Sequence, residues 1–336
     1  MFNKIFIEKD IIENQFAKRI TDSFKKSTII EIDNYYDFFG KVKKPYLQKR
    51  DNLNLFIANK KGALLKEAPD AYGLSGEPHF YYVHAYNCIY ECSYCYLQGY
   101  FNSPDLVLFV NHEEILKAIE EEIVKHTKSS DKGIWFHAGE FSDSLALSHI
   151  TGELPLYFDL FKKHLNAYLE LRTKSANIKE IEKIAPSPNI VTSFSLSPDE
   201  RIKAHDYKTP GLRARLKAIE KLHNLGHPIG IHLDPIIYTT DLEDSYIQLL
   251  DQLNEIIPLK DIEYISVGVV RFTKDVYNQV KMNYPESEYF YSELIKGHDG
   301  KIKYPRPMRH WILNKVRHLC IERGANADSV YLCMED

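Results

Sequence analysis

Beyond about residue 78 the chain alternates between two hydrophobic rhythms. Residues 79–86 (HFYYVHAY) are aromatic and β-branched, as a strand requires. Residues 111–128 then space Ile115, Ile119 and Ile123 four apart, which makes one apolar stripe on a helix. The exchange repeats. Residues 133–140 (GIWFHAGE) read as a strand and 155–168 as a helix. Residues 168–175 (YLELRTKS) read as a strand and 178–185 (IKEIEKIA) as a short helix. Residues 189–197 (NIVTSFSLS) read as a strand, and 211–226 as a helix stopped by Gly226. Residues 227–238 (HPIGIHLDPIIY) form another strand, 241–257 a helix, and 262–272 a last strand. Strands that alternate with helices pair in parallel through right-handed crossovers. The result is an open doubly wound sheet or a complete or partial barrel, and six units are too few to close an eight-stranded one. Residues 1–75 show no sustained period, and the turn-forming stretch PDAYGLSGEP marks a boundary after them.

Composition narrows the class. The apolar share of 44% over 336 residues suits a chain with a large core. No run is long and apolar enough for a membrane span, and the N-terminus is too charged for a secretory signal, so a cytosolic protein is expected. The net charge of −4 leaves nucleic acid open. One segment is locally basic: Lys296, Lys301, Lys303, Arg306, Arg309, Lys315 and Arg317 stand against Asp299 alone. A solvated surface loop accounts for that pattern as well as a binding patch does.

The chemistry concentrates in HAYNCIYECSYCYLQGY. Cys88, Cys92 and Cys95 are spaced C-x3-C-x2-C directly after the first strand, where barrels of this kind collect reactive groups. Five cysteines are an odd number for a disulfide framework, and clustered thiols more often bind metal or do redox chemistry. Zinc wants a second ligand pair, which is missing; His79 and His84 fall outside the usual spacing. Three inert buried thiols fit poorly beside Asn87, Glu91 and Ser93. An iron–sulfur cube held by three thiolates leaves one iron open to a ligand, and Tyr94 adds a flat face beside it.

CIYECSYC resembles the C-x3-C-x-aromatic-C signature of the radical S-adenosylmethionine (SAM) superfamily. The longer stretch CSYCYLQGYFNSPDLVLFVN is similar to the spore photoproduct lyase family. So are the Phe141–Ser142–Asp143 turn, Thr173–Lys174, Phe194–Ser195 and Arg271–Phe272–Thr273, in that order. The resemblance implies a partial (β/α)6 barrel over residues 76–275, with an N-terminal extension over 1–75 and a C-terminal extension over 276–336. It implies a [4Fe-4S] cluster on Cys88, Cys92 and Cys95, and SAM contacted by Ser142, Lys174 and Ser195. It implies a 5′-deoxyadenosyl radical, formed with an electron from a flavodoxin or ferredoxin, that starts cleavage of a thymine dimer in DNA. Tyr94 and Tyr96 match tyrosines that take part in radical return. Lys301, Lys303, Arg306 and Arg309 suit a DNA backbone, and Tyr289, Phe290 and Tyr291 an extruded base.

One position departs from the family. The lyase carries its hydrogen-donor cysteine three residues before the aspartate of this turn, and here that position is Glu140. A carboxyl O–H is too strong to give up a hydrogen atom, and at neutral pH an ordinary one is ionised. Ala138–Gly139–Glu140 instead resembles the Gly-Gly-Glu motif that binds the SAM amino group in other members of the superfamily. Tyr94, Tyr96 and Cys333, the last on an expected C-terminal strand, are the candidate donors. Asp234 is expected on the wall of the site. Rival readings are a peptide or small-molecule substrate, or a metal-binding module without activity.

Overall fold

The computed structural model describes residues 2–41, 53–69, 77–128, 132–290 and 292–334. The turn-rich boundary near residue 75 and Tyr291 lie outside the described residues. The segment that showed no period builds a sheet of its own. Strands β1 (Lys4–Glu8), β2 (Thr28–Ile32) and β3 (Leu55–Ala58) run parallel, with helix α1 (Gln15–Ser23) between the first two. Asn14 starts that helix: its side-chain oxygen accepts from the free amides of Phe16 and Ala17. Glu8 ends β1 fully buried and joins the sheet to its loops, accepting from the amides of Tyr35 and Asn59 and from the Lys61 ammonium.

The chain then crosses between two sheets. β4 (Leu65–Glu67) and β5 (His79–Tyr82) belong to the second, larger sheet, and β6 (Ala85–Tyr86) to the first. The single strand expected over 79–86 is therefore two short ones, and Val83 and His84 carry the chain from one sheet to the other. β7 (Glu91–Cys92) is a two-residue strand within the cysteine loop. β8 (Leu106–Phe109) returns to the first sheet, parallel to β3 and antiparallel to β6.

The larger sheet carries the six expected strands in parallel succession. After β5 come β9 (Ile134–Ala138), β10 (Ala167–Thr173) and β11 (Ile190–Ser195). A short β12 (Asp206–Tyr207) pairs with β7, and then β13 (Ile229–Ile236) and β14 (Tyr264–Val269) extend the large sheet. β15 (Arg271–Phe272), β16 (Ile295–Lys296) and β17 (Ile302–Lys303) make a separate small antiparallel sheet. β18 (Val330–Leu332) adds a seventh parallel strand beside β14, while β4 closes the other edge antiparallel to β5.

The helices confirm the apolar stripes. α2 (His112–Thr127) buries Ile115, Ile119 and Ile123, each worth about 1.5–3 kcal/mol of burial. α3 (Ser148–Thr151), α4 (Leu154–Lys163), α5 (Asp199–His205), α6 (Leu212–Asn224), α7 (Leu242–Ile256), α8 (Lys274–Asn283) and α9 (Arg306–Glu322) complete the set. The short helix expected over 178–185 is only a 3-10 turn, Ile181–Lys183. Pro186 follows at once, and a proline disfavours the helical conformation in the residue before it, so the segment does not extend beyond this turn. None of the described helices is long and apolar enough to cross a membrane.

The large sheet is curled. Tyr264 on β14 donates to Glu170 on β10 at 2.6 Å, although two strands lie between them in the sheet. Only curvature brings those side chains together, so the inward faces form a lumen as in a partial barrel. Its floor is polar. Glu170 Oε1 accepts from Ser193 Oγ and His232 Nε2, each at 2.6 Å, as well as from Tyr264, while Oε2 accepts from His137 Nδ1. His137 Nε2 lies 2.8 Å from His79 Nδ1. Burial alone would raise the Glu170 carboxyl; His232, His137 and the bonds they donate hold it well below the usual carboxylate range.

Candidate active site

A cavity of about 410 Å³ opens above this floor, at the C-terminal ends of the strands. One side is the cysteine loop, whose shape the local sequence dictates. Asn87 takes a left-handed φ of 62°, which asparagine tolerates, and its amide donates to the carbonyls of Ser103 and Asp105 at 2.7 Å. Cys92 sits in β7 opposite Asp206, and the Cys95 amide closes a turn onto the Cys92 carbonyl at 3.0 Å. Gln98 holds that turn from behind, donating to the carbonyls of Cys92 and Ser93. All three cysteines line the cavity. Among the described residues no three His, Cys, Asp or Glu converge closely enough to hold a single metal ion. Three separate thiols on one compact loop fit a multinuclear cluster, in which each thiolate takes a different iron, better than the lone zinc ion weighed above.

The wall beside this loop comes from β9, β10 and β11. Gly139, Glu140 and Ser142 follow β9, Lys174 follows β10, and Ser195 ends β11; all five line the cavity. Asp143 fastens the first turn to the second strand. Its carboxylate accepts from the amides of Leu145, Ala146 and Lys174 and from the Thr173 hydroxyl, at 2.7–3.0 Å. Gly139 has φ 95°, and a Cβ there would lie 2.8 Å from Ser144 Oγ and 2.9 Å from the Arg172 carbonyl. Gly139→Ala is expected to cost about 1–3 kcal/mol, read as a lower denaturant midpoint, because both backbone and neighbours must shift.

Lys174 is steered by two partners. Its ammonium lies 3.8 Å from Asp206 and 5.4 Å from the centroid of the Tyr94 ring, and the Tyr94 hydroxyl donates to the same Asp206. Behind them Arg215 is fully buried. It donates to Asp206 at 2.8 Å, to the Ser195 carbonyl at 2.8 Å and to Thr209 at 2.7 Å. Burial works against the Asp206 charge, but Lys174 and Arg215 outweigh it and hold the carboxyl below its usual range. Neither Asp206 nor Arg215 stood out in the sequence. Asp206 lies outside the expected elements, Arg215 is one of several basic residues on the helix expected over 211–226, and neither matches a motif, so only their contacts reveal them.

The opposite wall is rich in arginine. Arg271 grips Asp234 with two bonds, at 3.1 and 3.0 Å, and Arg172 lies 3.8 Å from the same carboxylate. Burial alone would raise the Asp234 carboxyl; Arg271 and Arg172 hold it at about 2. Asp234 thus stands on the cavity wall, as expected, and Lys301 lines the cavity as well. Glu140 faces this wall; burial pushes its carboxyl up, against the pull of Arg172.

Other expected residues sit differently. The Tyr96 hydroxyl donates to the Glu140 carbonyl. Cys333 follows β18, only 2% exposed and outside the cavity lining, with its sulfur 3.7 Å from an Arg271 nitrogen. Lys303 and Arg309 turn inward: Lys303 pairs with Asp299 at 3.1 Å and Arg309 donates to the Tyr304 carbonyl at 2.7 Å. Arg306 is exposed at the start of α9. Tyr289, expected to face a base, is fully buried, with its hydroxyl 3.3 Å from the Ser93 carbonyl. The local run of charge hid these burials, because sequence does not show which way an irregular segment folds back.

Known proteins share this architecture. A spore photoproduct lyase from Bacillus subtilis (strain 168) is 27% identical over 208 residues, and one from Geobacillus sp. (strain Y412MC61) is 24% identical over 209. Each match covers 61% of this chain and spans about 60% of the relative's length. A solved spore photoproduct lyase with a dinucleoside spore photoproduct superposes with a TM-score of 0.83 at 18% identity, covering 99% of this chain and 98% of the other. A mutant with bound AdoMet and dinucleoside spore photoproduct gives 0.81 at 17%, covering 100% and 99%. The fold is therefore that of those enzymes. The spore photoproduct lyase family model matches residues 1–307, which takes in the first sheet, the large sheet except β18, the cysteine loop and every wall of the cavity except the extreme C-terminus. On that match, the chain belongs to the spore photoproduct lyase family.

Proposed function

We propose that this chain is a radical SAM enzyme of the spore photoproduct lyase type that acts on a pyrimidine photoproduct in DNA. The observation that carries the reading is one cavity lined by Cys88, Cys92, Cys95, Gly139, Glu140, Ser142, Lys174 and Ser195, contributed by four separate strand ends. The structures of relatives with AdoMet and with a dinucleoside photoproduct support it. Cys88, Cys92 and Cys95 would hold a [4Fe-4S] cluster, and the serines, Lys174 and Glu140 would hold SAM. When bound, these groups supply one-electron chemistry that removes a hydrogen atom from the substrate.

The residues divide the remaining work. Lys174, aimed by Asp206 and Tyr94, offers its ammonium to the SAM carboxylate. Glu140 accepts from the SAM ammonium, for which it must be ionised. Lys301 at the cavity and Arg306 outside it are left to meet the DNA backbone, since Lys303 and Arg309 are engaged within the fold. A flavodoxin or ferredoxin in the cytosol would supply electrons.

A pH dependence follows from Glu140. Its pKa is raised, mainly by burial, so the acid form persists above the ordinary carboxylate range. SAM affinity of the holoenzyme, measured by equilibrium dialysis, is expected to rise as pH climbs through that raised pKa. Glu140→Gln should flatten the rise and weaken binding by about 10-fold or more on its upper side. An unchanged profile in the variant would remove Glu140 from SAM binding.

The deciding experiment incubates anaerobic, reconstituted enzyme with dithionite, SAM and an oligonucleotide carrying spore photoproduct. The lesion should disappear in step with SAM cleavage. Cleavage with the lesion intact favours a peptide or small-molecule substrate. Bound zinc with no SAM cleavage leaves only a metal-binding module.

A further inference from the structure

The lyase's donor cysteine is Glu140 here, so a different group must return hydrogen to the product. Of the three candidates named from sequence, Tyr94 and Tyr96 line the cavity and Cys333 does not. The Tyr94 hydroxyl hydrogen is committed to Asp206, and that of Tyr96 to the Glu140 carbonyl. Cys333 lies behind Arg271, off the cavity lining. Tyr90 lines the cavity at the cysteine end, near Cys88 and Asp143.

A further phenol lines the same cavity. Tyr81 is the third residue of β5, and its backbone partner on β9 is His137, three residues before Glu140. The strand directs its ring into the lumen, 6.1 Å from the His137 ring and 7% exposed. After burial, the charges of Glu140 and Arg172 act on it most strongly, followed by Cys333 and Glu170. Lys66 on the adjacent edge strand instead lies over the Phe141 ring at 4.7 Å. Tyr81 therefore lines the same cavity as the arginine wall and the residue that replaces the donor thiol. Burial raises its pKa, so the phenol keeps its hydrogen across the working pH range.

We propose that Tyr81 is the hydrogen-atom donor of this enzyme and does the work of the missing thiol. The inference rests on the reaction proposed above. The phenolic O–H breaks homolytically, a C–H bond forms on the carbon-centred product radical, and Tyr81 is left as a neutral phenoxyl radical. One electron from the low-potential flavin or iron–sulfur protein that the reaction already needs, and one proton from solvent, restore the phenol. A phenol suits this step where a carboxyl does not, because its O–H bond is far weaker towards homolysis.

The test uses anaerobic holoenzyme, SAM, dithionite and the dinucleoside spore photoproduct, comparing wild type with Tyr81→Phe and Cys333→Ala. Tyr81→Phe should keep SAM cleavage within about 2-fold, yet lose repaired dinucleoside by about 10-fold or more, with side products of the trapped radical appearing instead. Cys333→Ala should repair normally. Trifluorotyrosine placed at position 81 keeps the ring and hydroxyl but lowers the phenol pKa, so repair should fall off at lower pH than in wild type. That shift reports on the phenol even if the phenylalanine variant folds poorly, and a merely structural role would leave it unmoved. Equal repair by wild type and Tyr81→Phe, an unshifted pH profile, or loss of repair in Cys333→Ala overturns the assignment alone. A wild type that cleaves SAM and leaves the lesion intact overturns the proposed reaction and this assignment with it.

Discussion

Cys92→Ala is expected to abolish iron binding and SAM cleavage while leaving the fold intact. Cys92 sits within β7, whose pairing with β12 is made by backbone groups that alanine keeps. Its neighbours hold the loop by other means: Gln98 grips the Cys92 and Ser93 carbonyls, and the Ser93 amide bonds the His205 carbonyl at 2.8 Å. Losing the thiol removes one of the three thiolates that would hold the cluster. Removing a group that only hydrogen-bonds a metal's ligand already costs about 10–100-fold, and loss of a direct ligand should cost more. Iron analysis after anaerobic reconstitution should fall from about four per chain towards none, and 5′-deoxyadenosine should drop below detection. Cys320→Ala, deep in the α9 packing, is the control and should keep both. A Cys92→Ala protein that retained its iron would end the cluster assignment.

The second large effect concerns stability. Glu170→Leu should destabilise the fold by about 3–5 kcal/mol, because one buried carboxylate satisfies four donors at once. Removing it leaves two imidazoles, a phenol and a hydroxyl without their acceptor in the lumen. Glu170→Gln keeps one acceptor oxygen but turns an amide against donors, and should cost about 1–3 kcal/mol. The two variants also change the acid limb. The folded-state pKa of Glu170 lies below its unfolded value, so its contribution is present above about pH 4.3 and is lost as pH falls through the folded pKa. Urea titrations at several pH values should show wild type losing stability on that acid limb more steeply than either variant. Equal slopes would mean that the lumen network is not ionised as described.

The barrel was legible because its strands and helices are amphipathic over long runs. Ile115, Ile119 and Ile123 fall on one face by spacing alone, and all three are buried in the fold. The N-terminal sheet was not legible. Its strands are two to five residues long, shorter than the window over which a period can be counted, and β1 ends in a buried acid, Glu8, that hydropathy places at the surface. Two elements were misjudged: the run 79–86 is evenly apolar because its halves are buried in two different sheets, and 178–185 runs straight into Pro186, which a helix does not pass.

Sequence by itself determined the cysteine spacing, the parallel α/β class and the replacement of the lyase's donor thiol by Glu140. These are local facts, fixed by residues within a few positions of one another. Tertiary structure alone decided which distant groups share the cavity. It turned Lys303, Arg309 and Tyr289 inward, put Asp206 and Arg215 behind Lys174 and Ser195, and carried Tyr81 into the cavity that Glu140 lines. Those outcomes depend on how the sheet curls and where its strands register, which is set by contacts between residues scores of positions apart. No local pattern of polarity encodes them.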